Sequence, residues 1–295
     1  MATGDARRRG RVGMIVPAVM CVLVALPTSS APESPEAPEP ATVPRATGGQ
    51  YVGTFNIYGN VGHRGDAGDW IKDEADAVKS LTFGDSDRWL FIGLQEVCKA
   101  QGERFARELG MNSAFVDTGT NCADGQPFGN SVLFHGGAKV LPPALLPNPD
   151  NQRAERGIIC ALVRAAGGRG PQVTACSTHL SVGDTANRAA QTEFIHHGWK
   201  PDGTHPLGTH GPVVLAGDLN ALPDSGELDS MYDSGVEASG PRETESPYAH
   251  PTYGDGRKID YLFAWGTRDP AQWHGSGIRR TGNSDHNFYY SKLSW

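Results

Sequence analysis

Nine segments of the chain carry apolar or alternating residues and stop at turn formers, at 51–57, 89–95, 113–116, 130–134, 157–163, 172–178, 213–217, 258–264 and 287–291. Their length and period predict β-strands. Three further segments, 69–81, 103–109 and 185–197, repeat apolar residues at helical spacing, as Trp70, Ala77, Val78 and Leu81 do in the first. The rest is rich in Gly and Pro. Strands outnumber helices and hairpins mix with crossovers, which predicts an α+β fold of two packed sheets with helices outside.

The pattern does not begin at the N-terminus. Arg7, Arg8, Arg9 and Arg11 precede an apolar stretch from Val12 to Pro27 that gives way to Ser29, Ser30 and Ala31, the order of a secretory signal peptide over residues 1–31. A retained membrane anchor is the alternative, and both Pro17 and the shortness of the run count against it. Residues 32–49 are Pro, Ala, Glu, Ser and Thr with almost nothing large and apolar, so they predict a flexible leader. Residues 50–295 remain as one large domain, long enough for a substantial core. The expected location is therefore extracellular, with no stable membrane anchor in the mature, monomeric form.

Charge and cysteine content narrow this picture. The chain has 26 basic and 33 acidic residues, a net of −7, whereas a protein that neutralises phosphate broadly is normally basic. Acidic groups clustered around a divalent cation are compatible with that balance. Cys21 leaves with the signal peptide, and Cys98, Cys122, Cys160 and Cys176 form an even set suited to an oxidising compartment. Folding 157–163 and 172–178 as a hairpin about Gly168 sets Cys160 opposite Cys176, which leaves Cys98 with Cys122. Zinc binding by the cysteines is the alternative, disfavoured because no Cys-x-x-Cys or close His partner is present.

The polar residues at strand ends carry the chemistry. Glu96 stands where the segment at 89–95 leaves the core, a costly place for a carboxylate unless it is paired or holds a metal such as magnesium. Asp218 and Asn220 follow a buried run; the first can position an attacking water and the second can donate to a phosphate. Asp260 interrupts a buried strand and needs a partner. His286 supplies one, its ring held in one tautomer and made more basic, so that it can act as the base. Asp285 then becomes a metal candidate. His179 can donate to a nonbridging phosphate oxygen, and Asn56, which alone would be a turn former, gains weight from this company. No nucleophile-elbow or phosphate-loop sequence is present. The set describes metal-assisted phosphoester hydrolysis by an activated water.

Taken in order, Asn56, Gln95-Glu96, Thr178-His179-Leu180, Gly217-Asp218-Leu219-Asn220, Ile259-Asp260-Tyr261 and Ser284-Asp285-His286 resemble the endonuclease/exonuclease/phosphatase superfamily, which includes deoxyribonuclease I, exonuclease III and neutral sphingomyelinases. The resemblance implies a four-layer α/β/β/α sandwich of two mixed β-sheets flanked by helices. It implies a magnesium ion, with manganese or calcium as alternatives, on Glu96 with Asn56 and Asp285 nearby. It also implies phosphate contacts from Asn220 and His179, a base in His286 oriented by Asp260, and a water placed by Asp218. Gly129-Asn130-Ser131 resembles a further strand-start segment of the family. The expected substrate is a phosphodiester, with nucleic acid first and phospholipid or sphingomyelin as the rival, or a phosphatase substrate. A catalytically degenerate secreted binding protein is the remaining alternative. One departure is Cys98, placed where nucleases of the family often have a basic residue.

Overall fold

Each apolar segment becomes a strand. In chain order the elements are β1 (Gln50–Asn56), α1 (Trp70–Lys79), β2 (Trp89–Cys98), α2 (Lys99–Leu109), β3 (Asn112–Asn121), β4 (Pro127–Phe134), β5 (Lys139–Val140), β6 (Ala144–Leu145) and β7 (Gly157–Arg164). There follow β8 (Gln172–His179), α3 (Thr185–Glu193) with a π-helical turn (Phe194–Gly198), β9 (Val213–Asp218), a 3₁₀ turn (Gly226–Leu228) and α4 (Asp229–Tyr232). The chain ends with β10 (Val236–Glu237), β11 (Asp260–Trp265), β12 (Gln272–Arg279) and β13 (Phe288–Ser294). The computed structural model describes residues 49–81, 89–149, 155–164, 172–200, 211–240, 242, 250–266 and 272–294. The expected signal peptide, all of the leader except Gly49, and the turn at 167–170 lie outside the described residues.

The strands form two mixed sheets. The first has the order β12-β13-β1-β2-β4-β3, in which only β1 and β2 run parallel. The second runs β10-β11-β9-β8-β7-β5 with β6 also on β7, and only β8 and β9 are parallel. Their facing sides bury Val52, Phe91, Val132, Ile159, Ala175, Val214 and Leu262 in one core. On the outer side of the first sheet, Ile71, Ala75 and Val78 of α1 and Phe105 and Ala106 of α2 pack with Phe55, Ile92 and Leu94. Ile195 and Trp199 close the outer side of the second against Leu215, Phe263 and Trp265. These are the four layers of an α/β/β/α sandwich. Among the described residues no helix is long and apolar enough to cross a membrane.

Sequence and structure differ where side-chain period carries no information. Strands β5, β6 and β10 are too short to show alternation, and β12 is an edge strand with few apolar residues. Helix α2 starts at Lys99 rather than 103 because the Gln101 side chain accepts the Cys98 backbone N–H at 2.9 Å and caps the turn. The last turn expected of α3 opens into the π turn.

The sheets approach closely beneath their shared edge. A Cβ on Gly93 would lie 2.7 Å from the Ala216 Cβ, so only glycine allows this spacing. Beside it Thr54 Oγ1 donates to Gln95 Oε1 at 3.2 Å, and Gln95 Nε2 donates to Ser177 Oγ at 3.1 Å, a buried polar link from one sheet to the other. Disulfides join Cys98 to Cys122 and Cys160 to Cys176, the latter pair directly opposite across β7 and β8.

Candidate active site

Register gathers the second sheet's share of the site. Asp218 at the end of β9 is flanked by His179 at the end of β8 on one side and by Asp260 at the start of β11 on the other. The first sheet contributes Asn56 at the end of β1, beside Gln95 of β2. Between Leu94 and Val97 the register of β2 on β4 shifts, and Glu96 in this bulge has φ +55°, a left-handed conformation that aims its side chain away from the regular pleat. Asn220, at φ +50°, turns the chain back just past Asp218.

Asp218 is the point on which the groups converge. Asn56 Nδ2 donates to Asp218 Oδ2 at 3.0 Å and to Glu96 Oε1 at 3.2 Å, so one amide bridges two carboxylates from different sheets. The Tyr58 backbone N–H donates to Asn56 Oδ1 at 3.0 Å and fixes the amide this way round. As placed, Asn56 therefore presents N–H rather than oxygen to the acidic groups. The Asn220 backbone N–H donates to Asp218 Oδ1 at 3.0 Å. Burial pushes the Asp218 carboxyl up to about 7, with Asp260 adding to the rise and His286, Asn56 and the Asn220 backbone opposing it.

His286 stands between two carboxylates. Its Nδ1 is 2.9 Å from Asp260 Oδ2 and its Nε2 is 3.5 Å from Asp218 Oδ2. Burial disfavours the charged ring, but the summed pull of Asp260, Asp218 and Asp285 outweighs it and raises His286 to about 10. The segment is held by Ser284, whose Oγ donates to the Asn56 carbonyl at 2.7 Å and accepts the His286 N–H at 3.0 Å. Thr252 Oγ1 accepts the backbone N–H of Ile259 and of Asp260, each at 3.0 Å.

His179 is buried on the other flank. Arg156 Nη1 lies 3.0 Å from His179 Nδ1, and a guanidinium only donates, so Nδ1 accepts and the ring proton sits on Nε2, 3.3 Å from Asp218 Oδ2. Burial, reinforced by Arg156 and His286, holds His179 well below its usual value, hence neutral. Asn220 Nδ2 lies 2.9 Å from that same Nε2 and also donates to the Leu180 carbonyl at 3.1 Å. Two N–H donors thus lie side by side, an arrangement suited to an anionic oxygen.

Arg156 was not among the residues expected from sequence. An arginine just before an apolar run is an ordinary surface pattern, and only the fold half-buries it beside His179 with Glu96 and Asp218 in range. Burial lowers its pKa while those carboxylates oppose the shift, and its Nε has no partner among the described residues. Asn130 Nδ2 donates to the Gly157 carbonyl at 2.9 Å, and so braces the residue after Arg156.

The donor set fits a hard divalent cation. Burial raises the Glu96 carboxyl, with Asp285 adding to the rise, and Asp285 Oδ1 is buried with no hydrogen-bond partner among the described residues. Two carboxylates that repel each other and leave an oxygen unsatisfied are what such an ion would relieve. Asp218, Asp260 and His286 also place ligand atoms within 4.8 Å of one another; His286 pairs with both carboxylates, and Asp260 Oδ1 stays buried without a hydrogen-bond partner among the described residues.

The sequence profile described as the Endonuclease/Exonuclease/phosphatase family matches residues 53–286, which span every group above. The chain belongs to the endonuclease/exonuclease/phosphatase family. Members of this family are phosphoester hydrolases and typically use divalent metals. No curated protein sequence matches the chain. Among solved structures, a mannosyl-6-phosphatase of Bacteroides thetaiotaomicron is similar at 15% identity and TM-score 0.62, over 83% of this chain and 100% of that one. The human Nocturnin catalytic domain with bound sulfate is similar at 18% identity and TM-score 0.61, over 83% and 93%. Truncated TDP2 of Caenorhabditis elegans is similar at 18% identity and TM-score 0.60, over 83% and 97%. At these identities the likeness concerns the family's fold.

Proposed function

We propose that this chain is a secreted, divalent-metal-dependent phosphodiesterase that cleaves nucleic acid outside the cell. The observation that carries the reading is the convergence of His286, His179, Asn56 and the Asn220 backbone on the Asp218 carboxylate. In this reading Asp218 accepts a hydrogen bond from the attacking water and aligns it with phosphorus. His286, oriented by Asp260, takes the proton of that water. The neighbouring N–H groups of Asn220 and His179 donate to nonbridging oxygens, where charge grows in the transition state. Arg156 adds positive charge behind them. Glu96 and Asp285 would hold the ion, with Asn56 fixing Glu96, and a bound divalent cation would supply Lewis-acid polarisation of the phosphoryl group.

Nucleic acid is favoured by the residues above His286. The Tyr253 ring lies 4.8 Å from the His286 ring, and the Arg257 guanidinium stands 5.3 Å from the centre of Tyr253. The half-buried Tyr253 ring offers a base a stacking face, and Arg257, whose Nε donates to Asp255 Oδ2 at 2.7 Å, stands over it. The signal-peptide pattern and the two disulfides support secretion.

A panel of DNA, RNA, sphingomyelin, phosphoinositide and simple phosphodiesters, each with magnesium, calcium and manganese, tests this function. Cleavage of DNA or RNA is expected. Cleavage confined to a lipid would replace the substrate, and no cleavage of any member would overturn the phosphodiesterase and leave a phosphatase or a binding protein.

A further inference from the structure

We infer that His196, His197 and Asp233 form a zinc site on the outer side of the second sheet, away from the catalytic edge. The π turn after α3 brings the two consecutive histidines together, with His196 Nδ1 3.0 Å from His197 Nε2. An oxygen of Asp233, which follows α4, completes a group whose ligand atoms all lie within 4.8 Å of one another. Two imidazole nitrogens on a tetrahedral ion at about 2.0–2.1 Å are separated by roughly 3.3 Å, so the pair stands close to the ligand spacing. His196 Nε2 lies 3.0 Å from Ser234 Oγ. A proton there has an acceptor and leaves the Nδ1 lone pair facing His197, the outer-sphere arrangement that metal-bound histidines use. Glu193 Oε2, 3.9 Å from His197 Nε2, is within reach as a fourth ligand, and water can serve instead.

A plain hydrogen bond between the two rings is the competing reading. It gives no role to the carboxylate that closes the group from a helix distant in sequence. Imidazole nitrogen with carboxylate oxygen favours zinc over magnesium or calcium. Asp233 also lines a cavity of about 750 Å³, so the group opens to solvent. The rings of His196 and Trp265 are 5.9 Å apart, and Trp265 ends β11 while Asp260 begins it. At about 3.3 Å per residue, those two ends are roughly 17 Å apart. Zinc here would tie the end of α3 to α4 and raise stability without entering the reaction.

Untagged protein is stripped with a chelator and dialysed against zinc in a large excess of magnesium, and bound metal and thermal midpoint are read. Glu96→Gln protein should retain a single zinc ion per chain, with a raised midpoint. His197→Ala and Asp233→Asn should each lose that ion and that rise while keeping wild-type turnover with magnesium. Asp233 is exposed, so its variant reports even where His197→Ala folds poorly. No zinc on the Glu96→Gln protein, or undiminished zinc on the folded Asp233→Asn protein, would overturn the site.

Discussion

At the scale of single residues, His286 decides whether the proposed chemistry runs. With Asp260 and Asp218 on its two nitrogens it is raised to about 10, so in the metal-free protein the ring is protonated through neutral pH. A base must first lose that proton. Positive charge at the neighbouring Glu96 and Asp285 supplies the push, so a ring titration followed by NMR should move well below 10 on adding magnesium. A ring that titrates unchanged with magnesium bound would take the base role from His286. Stability responds with the opposite sign to an acid group: the contribution of the raised His286 is fully present below its free value of 6.5 and is lost as pH climbs toward about 10. Kinetically, His286→Ala should lower kcat of the folded fraction by about 10²–10⁴, and should also lower the thermal midpoint because the buried Asp260 loses its partner. Asp260→Asn should lose much of the same activity, and the double variant should be scarcely worse than His286→Ala. Folded His286→Ala turning over at near-normal rates in single-turnover cleavage would sink the assignment.

Among the elements, β2 does the most positioning. Its bulge turns Glu96 toward the shared edge, and two residues later Cys98 is bonded to Cys122 in the turn between β3 and β4. The other disulfide lies between strands already paired in full register. Chain entropy alone gives each bond about 3 kcal/mol, since the loops they close are similar in length. Their functional effects should nevertheless differ. Replacing Cys98 and Cys122 by Ala should raise the magnesium concentration for half-maximal activity, whereas replacing Cys160 and Cys176 should lower the thermal midpoint and leave that requirement unchanged. Equal magnesium curves for the two double variants would show that the bulge holds without the bond. Much of this was legible in sequence, because Asn56, His179 and Asp218 each follow a buried apolar run and so fall at strand ends, while Glu96 follows one and falls in the bulge before β2 ends. The orientation of the Asn56 amide was not, since the Tyr58 backbone N–H sets it. Nor was Arg156, whose burial comes from packing rather than from its own segment.

For the whole molecule, the site is assembled from both sheets: Asn56, Glu96 and His286 stand with the first, and His179, Asp218 and Asp260 with the second. Repulsion among the carboxylates makes the cation a requirement of the proposed reaction, so excess chelator should abolish turnover and magnesium should restore it. Glu96→Gln should shift that restoration to higher magnesium. Activity that survives chelation would defeat the metal-dependent reading. Two packed sheets with helices outside followed from alternation and helical period, and the α/β/β/α layering from the family resemblance, while β12 escaped notice because an edge strand needs few apolar residues. The first sheet places β1 between β2 and β13, so its opening strand waits for the chain's last one. Synthesis therefore delivers His286 after every other catalytic group. A chain that has not yet delivered His286 and β13 lacks both its proposed base and a finished first sheet, so the proposed hydrolysis cannot begin before β1 is paired on both sides.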